Sequence, residues 1–263
     1  MIDLKSVASY LDAEYPALLA EDWDNIGLLV GDFSATVKTI MTCLTVTPEV
    51  CEESIVKKVN LIVSHHPFPF QAMKQITSQT VEGSMLLQLI SHGIAVYSPH
   101  TAHDSAKDGV NRQLAAILNL TDVMPLNANG SGCIGNCRQN GILLSDLLQI
   151  IETRLGVCSY VGDINKSVNR IAIGCGVADE FVDKAVQQKA DLLLLGEARF
   201  HTCLRAQSLR LALILTGHFA SEHFAVKTLA QKITVQFPEI SCFPSDSEQD
   251  VIKRYNYTLP CHK

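Results

Sequence analysis

The sequence predicts an α/β protein built from two similar halves, and three observations carry that reading. Short aliphatic runs alternate with stretches of helical periodicity along the chain, the pattern of sheets covered by helices. A block of the first half recurs in the second at an offset of 131 residues. In both halves the aliphatic runs stop at histidines and acids. In α/β sheets, chemistry gathers just past the carboxyl ends of the strands.

The elements follow in order. Apolar residues at 4, 7, 8, 10 and 11 predict an amphipathic helix over 4–11, with Pro16 beyond it. Residues 26–30, closed by Gly31-Asp32, read as a strand, and Trp23-Asp24-Asn25 before them could line a pocket. Residues 37–46 are β-branched and read as a strand. Residues 48–59 read as a helix capped by Thr47, with Pro48 in its first turn. Residues 60–64 form the next strand.

Shifted by 131, Val161-Gly162-Asp163 falls on Val30-Gly31-Asp32, and Val168, Ile171, Val177, Glu180, Lys189 and Leu192 match their counterparts. That makes nine identities over 30–63, where unrelated sequence gives roughly two. The second copy is then a strand over 168–173, a helix over 180–189 and a strand over 192–195, preceded by a helix over 144–155. Further on the offset falls to 118, which sets His218 on His100 and Glu222 on Asp104. Glu197 stands opposite His66 in the 131 register. The pattern predicts two pseudo-duplicated domains, 1–124 and 125–263, joined near 122–125.

Bulk composition narrows the function classes. At 263 residues, 47% hydrophobic and 18% charged, the chain is globular and long enough for two cores. A net charge of −6 without any Lys/Arg run argues against a broad nucleic-acid footprint. The first residues lack the basic region and apolar core of a signal peptide, and the longest aliphatic run, 192–195, is too short for a bilayer. The expected location is cytoplasmic, where nine irregularly spaced cysteines read as mostly free, buried thiols. The low charged fraction fits apolar surface buried between subunits.

His65-His66 is the sharpest local feature. Pro67 restricts the preceding residue to an extended conformation, and at a strand end both rings can turn toward one pocket. Alone, the pair reads more readily as one core and one surface histidine. The His-x3-acid spacings His100…Asp104 and His218…Glu222 place each pair on one helix face and shift the balance to metal binding. Five ligands, His65, His66, Asp104, His218 and Glu222, exceed what one tetrahedral zinc needs. They suit two divalent ions roughly 3.5–4 Å apart, bridged by a carboxylate. Zinc, manganese, iron and nickel all accept such donors. Glu197 could bind substrate, act as a base or hold a ligand histidine.

Other features have plainer readings. Gly130-Ser131-Gly132-Cys133-Ile134-Gly135 has the dinucleotide-loop spacing but no convincing strand before it or helix after it, and reads as a turn-rich connection. Cys133 and Cys137 read as free thiols. His103 and His223 adjoin proposed ligands but point elsewhere on a helix, toward the surface. His92 and His262 are expected at the surface.

Taken together, Trp23-Asp24-Asn25-Ile26-Gly27-Leu28, Ser64-His65-His66-Pro67, His100-Thr101-x2-Asp104, Gly196-Glu197 and Gly217-His218-x3-Glu222 resemble the NIF-three-like dinuclear metal proteins, also called GTP cyclohydrolase 1 type 2 homologues. The likeness runs nearly end to end and corresponds to the short form of that family, without a large inserted middle domain. It implies two interlinked α/β domains and a toroidal homohexamer with metal pairs facing a central cavity. It implies the ligands His65, His66, Asp104, His218 and Glu222, with His100 beside the metals. The function it implies is a metal-dependent hydrolase acting on a nucleotide or related heterocycle, in which His100 or Glu197 moves protons. The competing reading is a non-catalytic, metal-binding regulator. Ala102-His103 and Arg199-Phe200-His201 depart from the usual family stretches; they spare the ligands and bear on pocket specificity.

Overall fold

The computed structural model describes residues 1–127, 130–138 and 141–253; His262, expected at the surface, and Cys261 lie outside them. Two helix-covered sheets form the frame. The first has five strands in the order Ser241–Pro244, Thr39–Cys43, Leu61–Ser64, Ala95–Ser98, Gly27–Val30. Its first four are parallel and the Gly27–Val30 edge is antiparallel. The second has six, in the order Ser159–Val161, Ala212–Leu215, Leu192–Glu197, Arg170–Val177, Cys133–Asn136, Thr121–Pro125. There the three inner strands Ala212–Leu215, Leu192–Glu197 and Arg170–Val177 run parallel, the Ser159 and Cys133 strands run antiparallel to them, and the Thr121 strand, antiparallel to the Cys133 strand, returns to their direction.

Parallel strands read as continuous aliphatic runs because helices cover both of their faces. Leu61, Ile62 and Val63 are each fully buried, as are Leu192 to Leu195. Helix Leu4–Glu14 buries Leu4, Val7, Ala8 and Leu11 on one face of the first sheet, its N-terminus capped by the Asp3 carboxylate. Helix Leu144–Leu155 does the same for the second sheet with Leu144, Leu147 and Ile151. Truncating any of these leucines to alanine should cost about 2–5 kcal/mol.

The expected strand over 37–46 divides into Thr36–Val37, paired with Ile2–Asp3, and Thr39–Cys43. The expected helix over 48–59 ends at Val56, where Lys58 takes a φ of 54° and closes the turn. Helix 180–189 is likewise Phe181–Gln187. The 130–135 stretch departs further: Gly130 and Gly132 turn with positive φ, but Cys133–Asn136 is a strand with Cys133 and Ile134 fully buried. Four residues containing Gly and Asn carry too little pattern for a strand to be legible there.

The 118-residue alignment is also corrected, by one residue. The Ala95 amide donates to the Asn60 carbonyl and the Ala212 amide to Asp191 in the matching position, so the sheet register relates these strands by 117. Aliphatic runs slide past one another in sequence comparison, but the backbone ladder fixes which face each side chain takes. The missing residue reappears in the turn. Pro99 alone links Ser98 to the helix at His100, whereas Thr216 and Gly217, the latter at φ 90°, link Leu215 to the helix at His218.

Each half lends its last elements to the other. Helix Val110–Ile117 buries Val110, Leu114 and Ala115 in the core of the second sheet, and the strand Thr121–Pro125 forms an edge of that sheet. Helix Phe224–Gln236 puts Leu229 and Ile233 into the core of the first sheet, and Ser241–Pro244 becomes its edge. The two short helices before these exchanges, His100–Ser105 and His218–Glu222, sit at the carboxyl tips of both sheets.

Candidate metal centre

The strand tip at Leu61–Ser64 continues far enough to aim both histidines. The His65 and His66 amides still donate to Cys43 and Leu44. The Ser98 hydroxyl donates to the His65 carbonyl at 2.6 Å and the Ser64 hydroxyl to that of His66 at 2.8 Å. The two ring centroids end 5.2 Å apart. Helix His100–Ser105 brings Asp104 Oδ1 to 3.5 Å from His65 Nε2. Helix His218–Glu222 brings Glu222 Oε2 to 3.1 Å from His66 Nε2, 3.1 Å from His218 Nε2 and 3.9 Å from His65 Nε2. One buried carboxylate oxygen therefore faces three imidazole nitrogens.

Outer partners set the ring orientations. Thr45 Oγ1 lies 2.7 Å from His66 Nδ1, and Glu197 Oε1 lies 2.7 Å from His218 Nδ1, leaving both Nε2 atoms for Glu222. His100 Nδ1 lies 2.7 Å from Asp24 Oδ1. The other oxygen of Asp24 accepts from the Thr101 amide and hydroxyl. Gly176 closes the floor with φ 57°, where a Cβ would stand 2.3 Å from Glu222 Oε1, so only glycine fits. The Ser221 hydroxyl accepts from the Gly176 amide and donates to the His218 carbonyl.

The electrostatics show what the cluster lacks. Burial and the Glu222 charge push the Asp104 carboxyl up to about 7. Burial works against ionised Glu222 too, but hydrogen bonds from His218 and His66 hold it well below the usual carboxylate range. The Glu222 hydrogen bond lifts His218 to about 9 against its burial. Burial drives His65 well below the ordinary imidazole value. Both ring nitrogens of His65, and Asp104 Oδ1, are buried without a hydrogen-bond partner. Each such orphan costs about 1–3 kcal/mol, and a cation between His65 Nε2 and Asp104 Oδ1, which lie 3.5 Å apart, would satisfy two of them. Among the described residues, His65, His66 and His100 form one group of donor atoms within 4.8 Å of one another, and His66, His218 and Glu222 another. Imidazole and carboxylate donors in this arrangement could hold a metal ion.

The structure thus gathers His65, His66, Asp104, His218 and Glu222 around one point, with His100 and Glu197 touching its edge. His103 is a correction: it is 2% exposed, its ring 4.7 Å from Tyr15 and 5.8 Å from His65, because Tyr15, just past the end of the first helix, covers that side of the short helix. His223 stacks on Phe219 at 4.3 Å, partly exposed, and His92 is exposed. Of the cysteines, Cys43, Cys51, Cys133 and Cys175 are buried free thiols and Cys137, Cys158, Cys203 and Cys242 partly buried ones. Thr45, Ser221 and Gly176 escaped sequence reasoning, since single hydroxyls and glycines carry no signal. Asp24 was visible only as a possible pocket residue. A cavity of about 940 Å³ opens from the cluster, the size range of small-molecule sites.

Two α/β sheets whose tips enclose a histidine–carboxylate cluster define the class: a protein with a centre able to hold metal. Residues 2–250 match the Duf34/NIF3 (NGG1p interacting factor 3) family, and the chain belongs to it. The GTP cyclohydrolase 1 type 2 homolog of Clostridium acetobutylicum is 32% identical over 241 residues, 88% of this chain and 90% of that protein. The protein NIF3 homolog of Schizosaccharomyces pombe is 32% identical over 248 residues, 86% and 87% of the two chains. The crystal structure of Staphylococcus aureus protein SA1388 matches with a TM-score of 0.89 at 25% identity, covering 97% of this chain and 99% of that one. Reduced HcgD from Methanocaldococcus jannaschii matches with a TM-score of 0.83 at 25% identity, covering 93% and 98%. Among the described residues no helix is long and apolar enough to cross a membrane.

Proposed function

We propose that this protein is a metal-dependent hydrolase acting on a nucleotide or related heterocycle, with two divalent ions held by His65, His66, Asp104, His218 and Glu222. The observation that carries the reading is Glu222 Oε2 lying within 3.9 Å of three imidazole nitrogens, beside an Asp104 oxygen without a partner. A second carboxylate this close, pushed toward neutrality, is a donor set short of positive charge. His65, His66, Asp104, His218 and Glu222 would hold the ions. Bound there, the pair would supply an acidified water as nucleophile.

The remaining roles belong to the chain itself. Glu197 accepts from His218 Nδ1–H and fixes the tautomer whose Nε2 faces the centre, which makes it a positioning residue. His100 is the better proton carrier: burial lowers its affinity for a proton, but the Asp24 hydrogen bond and the nearby carboxylates raise it above the ordinary value. A group of that kind can protonate a leaving nitrogen or oxygen. The name shared by the bacterial relatives supports a nucleotide-like substrate. We further propose a cytoplasmic homohexamer, for which the exposed Leu18, Phe33, Val56 and Val235 offer apolar contact surface. The family name, an interacting factor, favours a second reading in which the same centre serves a non-catalytic, partner-binding role.

The test is to load the protein with zinc, manganese, iron or nickel, then measure metal content, mass in solution and turnover of nucleotides. Two ions per chain are expected, falling below one in Glu222→Ala, with turnover lost. Unchanged metal content in Glu222→Ala overturns the ligand set. Metal loading without turnover of any nucleotide, with a partner complex that needs the metal, favours the second reading.

A further inference from the structure

The cavity that opens from the metal centre has an unusual wall. Trp23 and Phe70 line its mouth, 65% and 53% exposed. Their ring centroids are 6.4 Å apart, and they lie 6.0 and 6.1 Å from the His100 ring. Exposed aromatic rings beside a reactive centre, here tilted 49° to each other, mark a binding site. Two stacking contacts of about 3.5 Å need roughly 7 Å between outer rings, so rotations that bring these two exposed side chains parallel admit one flat ring between them.

Charge says which flat ring. Among the described residues no lysine or arginine lines the cavity, whereas Glu21, Glu82 and Glu180 line it away from the histidine–carboxylate cluster. Lys74 stands between the lining residues Met73 and Gln75 but is not itself in the wall. Proteins that hold triphosphates supply Lys, Arg or a glycine-rich loop of amides. Away from the proposed ions the wall concentrates negative potential, which disfavours a polyphosphate at the clamp and favours a neutral or cationic ring there.

We infer that Trp23 and Phe70 form an aromatic clamp for a planar nitrogen heterocycle that is neutral or positively charged, such as a free nucleobase or nucleoside, and that nucleoside triphosphates are poor ligands. This rests on the proposed site and narrows its substrate class. The clamp holds the ring edge against His100 and the metal cluster, and a cationic ring gains further from the aromatic faces.

Trp23 is the single tryptophan of the chain, so its fluorescence reports on the clamp alone. The zinc-loaded protein is titrated with 7-methylguanosine, guanosine, GTP and ribose 5-phosphate, with calorimetry in parallel. Saturable quenching is expected in the order 7-methylguanosine, guanosine, then GTP at least tenfold weaker, with no quenching by ribose 5-phosphate. Phe70→Ala should weaken guanosine binding about tenfold with metal content and circular dichroism unchanged. GTP binding as tightly as guanosine, an undiminished affinity in Phe70→Ala, or no saturable response to either nucleoside overturns the inference. Nucleoside binding without hydrolysis would leave the clamp standing and sink the hydrolytic reading. Hydrolysis of GTP without quenching would do the reverse.

Discussion

The two sides of the cluster face different amounts of water. On the first-half side, the His65 side chain is 5% exposed and that of Asp104 17%. On the second-half side, His218 is 33% and Glu197 47% exposed. The open side satisfies its own polar atoms: His218 is bonded to carboxylates at both nitrogens. The closed side leaves both nitrogens of His65 and one oxygen of Asp104 without partners. The same strand-tip plan thus yields one half whose polar atoms are paired and one half with buried polar atoms that a cation could satisfy. On the proposed two-ion reading, an ion at the closed side would stabilise the fold, while one at the open side would exchange with solvent.

Asp104→Asn should break this contrast most strongly. Metal content is expected to fall by about half, from the closed side, as read by elemental analysis. The metal-free variant should nevertheless be more stable than metal-free wild type. Asp104 ionises near 3.8 when unfolded but only at about 7 in the fold, so the stability it contributes is present below pH 4 and lost as pH rises through 7. The gain in Tm from the substitution should therefore be absent near pH 4, grow up to pH 7 and stay level above it. Each kcal/mol relieved corresponds to about 2–4 °C. A gain independent of pH would show that Asp104 is not strained by its neighbour.

Glu197→Gln should act on the open side only. Loss of the charged partner of His218 is expected to weaken that ion about 10–100-fold, measured by competition with a chelator, while the closed-side ion keeps its affinity. Equal weakening of both would mean the two sides are one site. Asp24→Asn is the mildest of the three. It removes the charge beside His100 and should destabilise the protein by about 1–3 kcal/mol in urea unfolding, with metal content unchanged.

The strand tips were legible because parallel strands must be aliphatic, so a histidine pair at the end of 61–64 could only fall at the sheet's rim. The His-x3-acid spacings were legible for a similar reason, since helical geometry fixes what four residues span. Partners brought in by chain crossing were not. Thr45 reaches His66 and Asp24 reaches His100 from loops, and no periodicity governs such contacts. His103 was misjudged because the side a short helix buries depends on what covers it, here Tyr15. The register of Ala212–Leu215 was misjudged by one residue because four aliphatic residues resemble themselves after a shift.

The reciprocal loan of elements between the sheets bears on how the molecule can be divided and how it can move. A chain severed between residues 124 and 125 would leave the amino-terminal fragment without Phe224–Gln236 and Ser241–Pro244, and the other without Val110–Ile117 and most of Thr121–Pro125. Neither piece would have a closed core, so the lobes must form cooperatively or not at all. For the same reason they cannot swing apart like a clamshell to admit a guest: entry must come through local movement at the rim, while the crossed segments keep the jaws at a fixed separation.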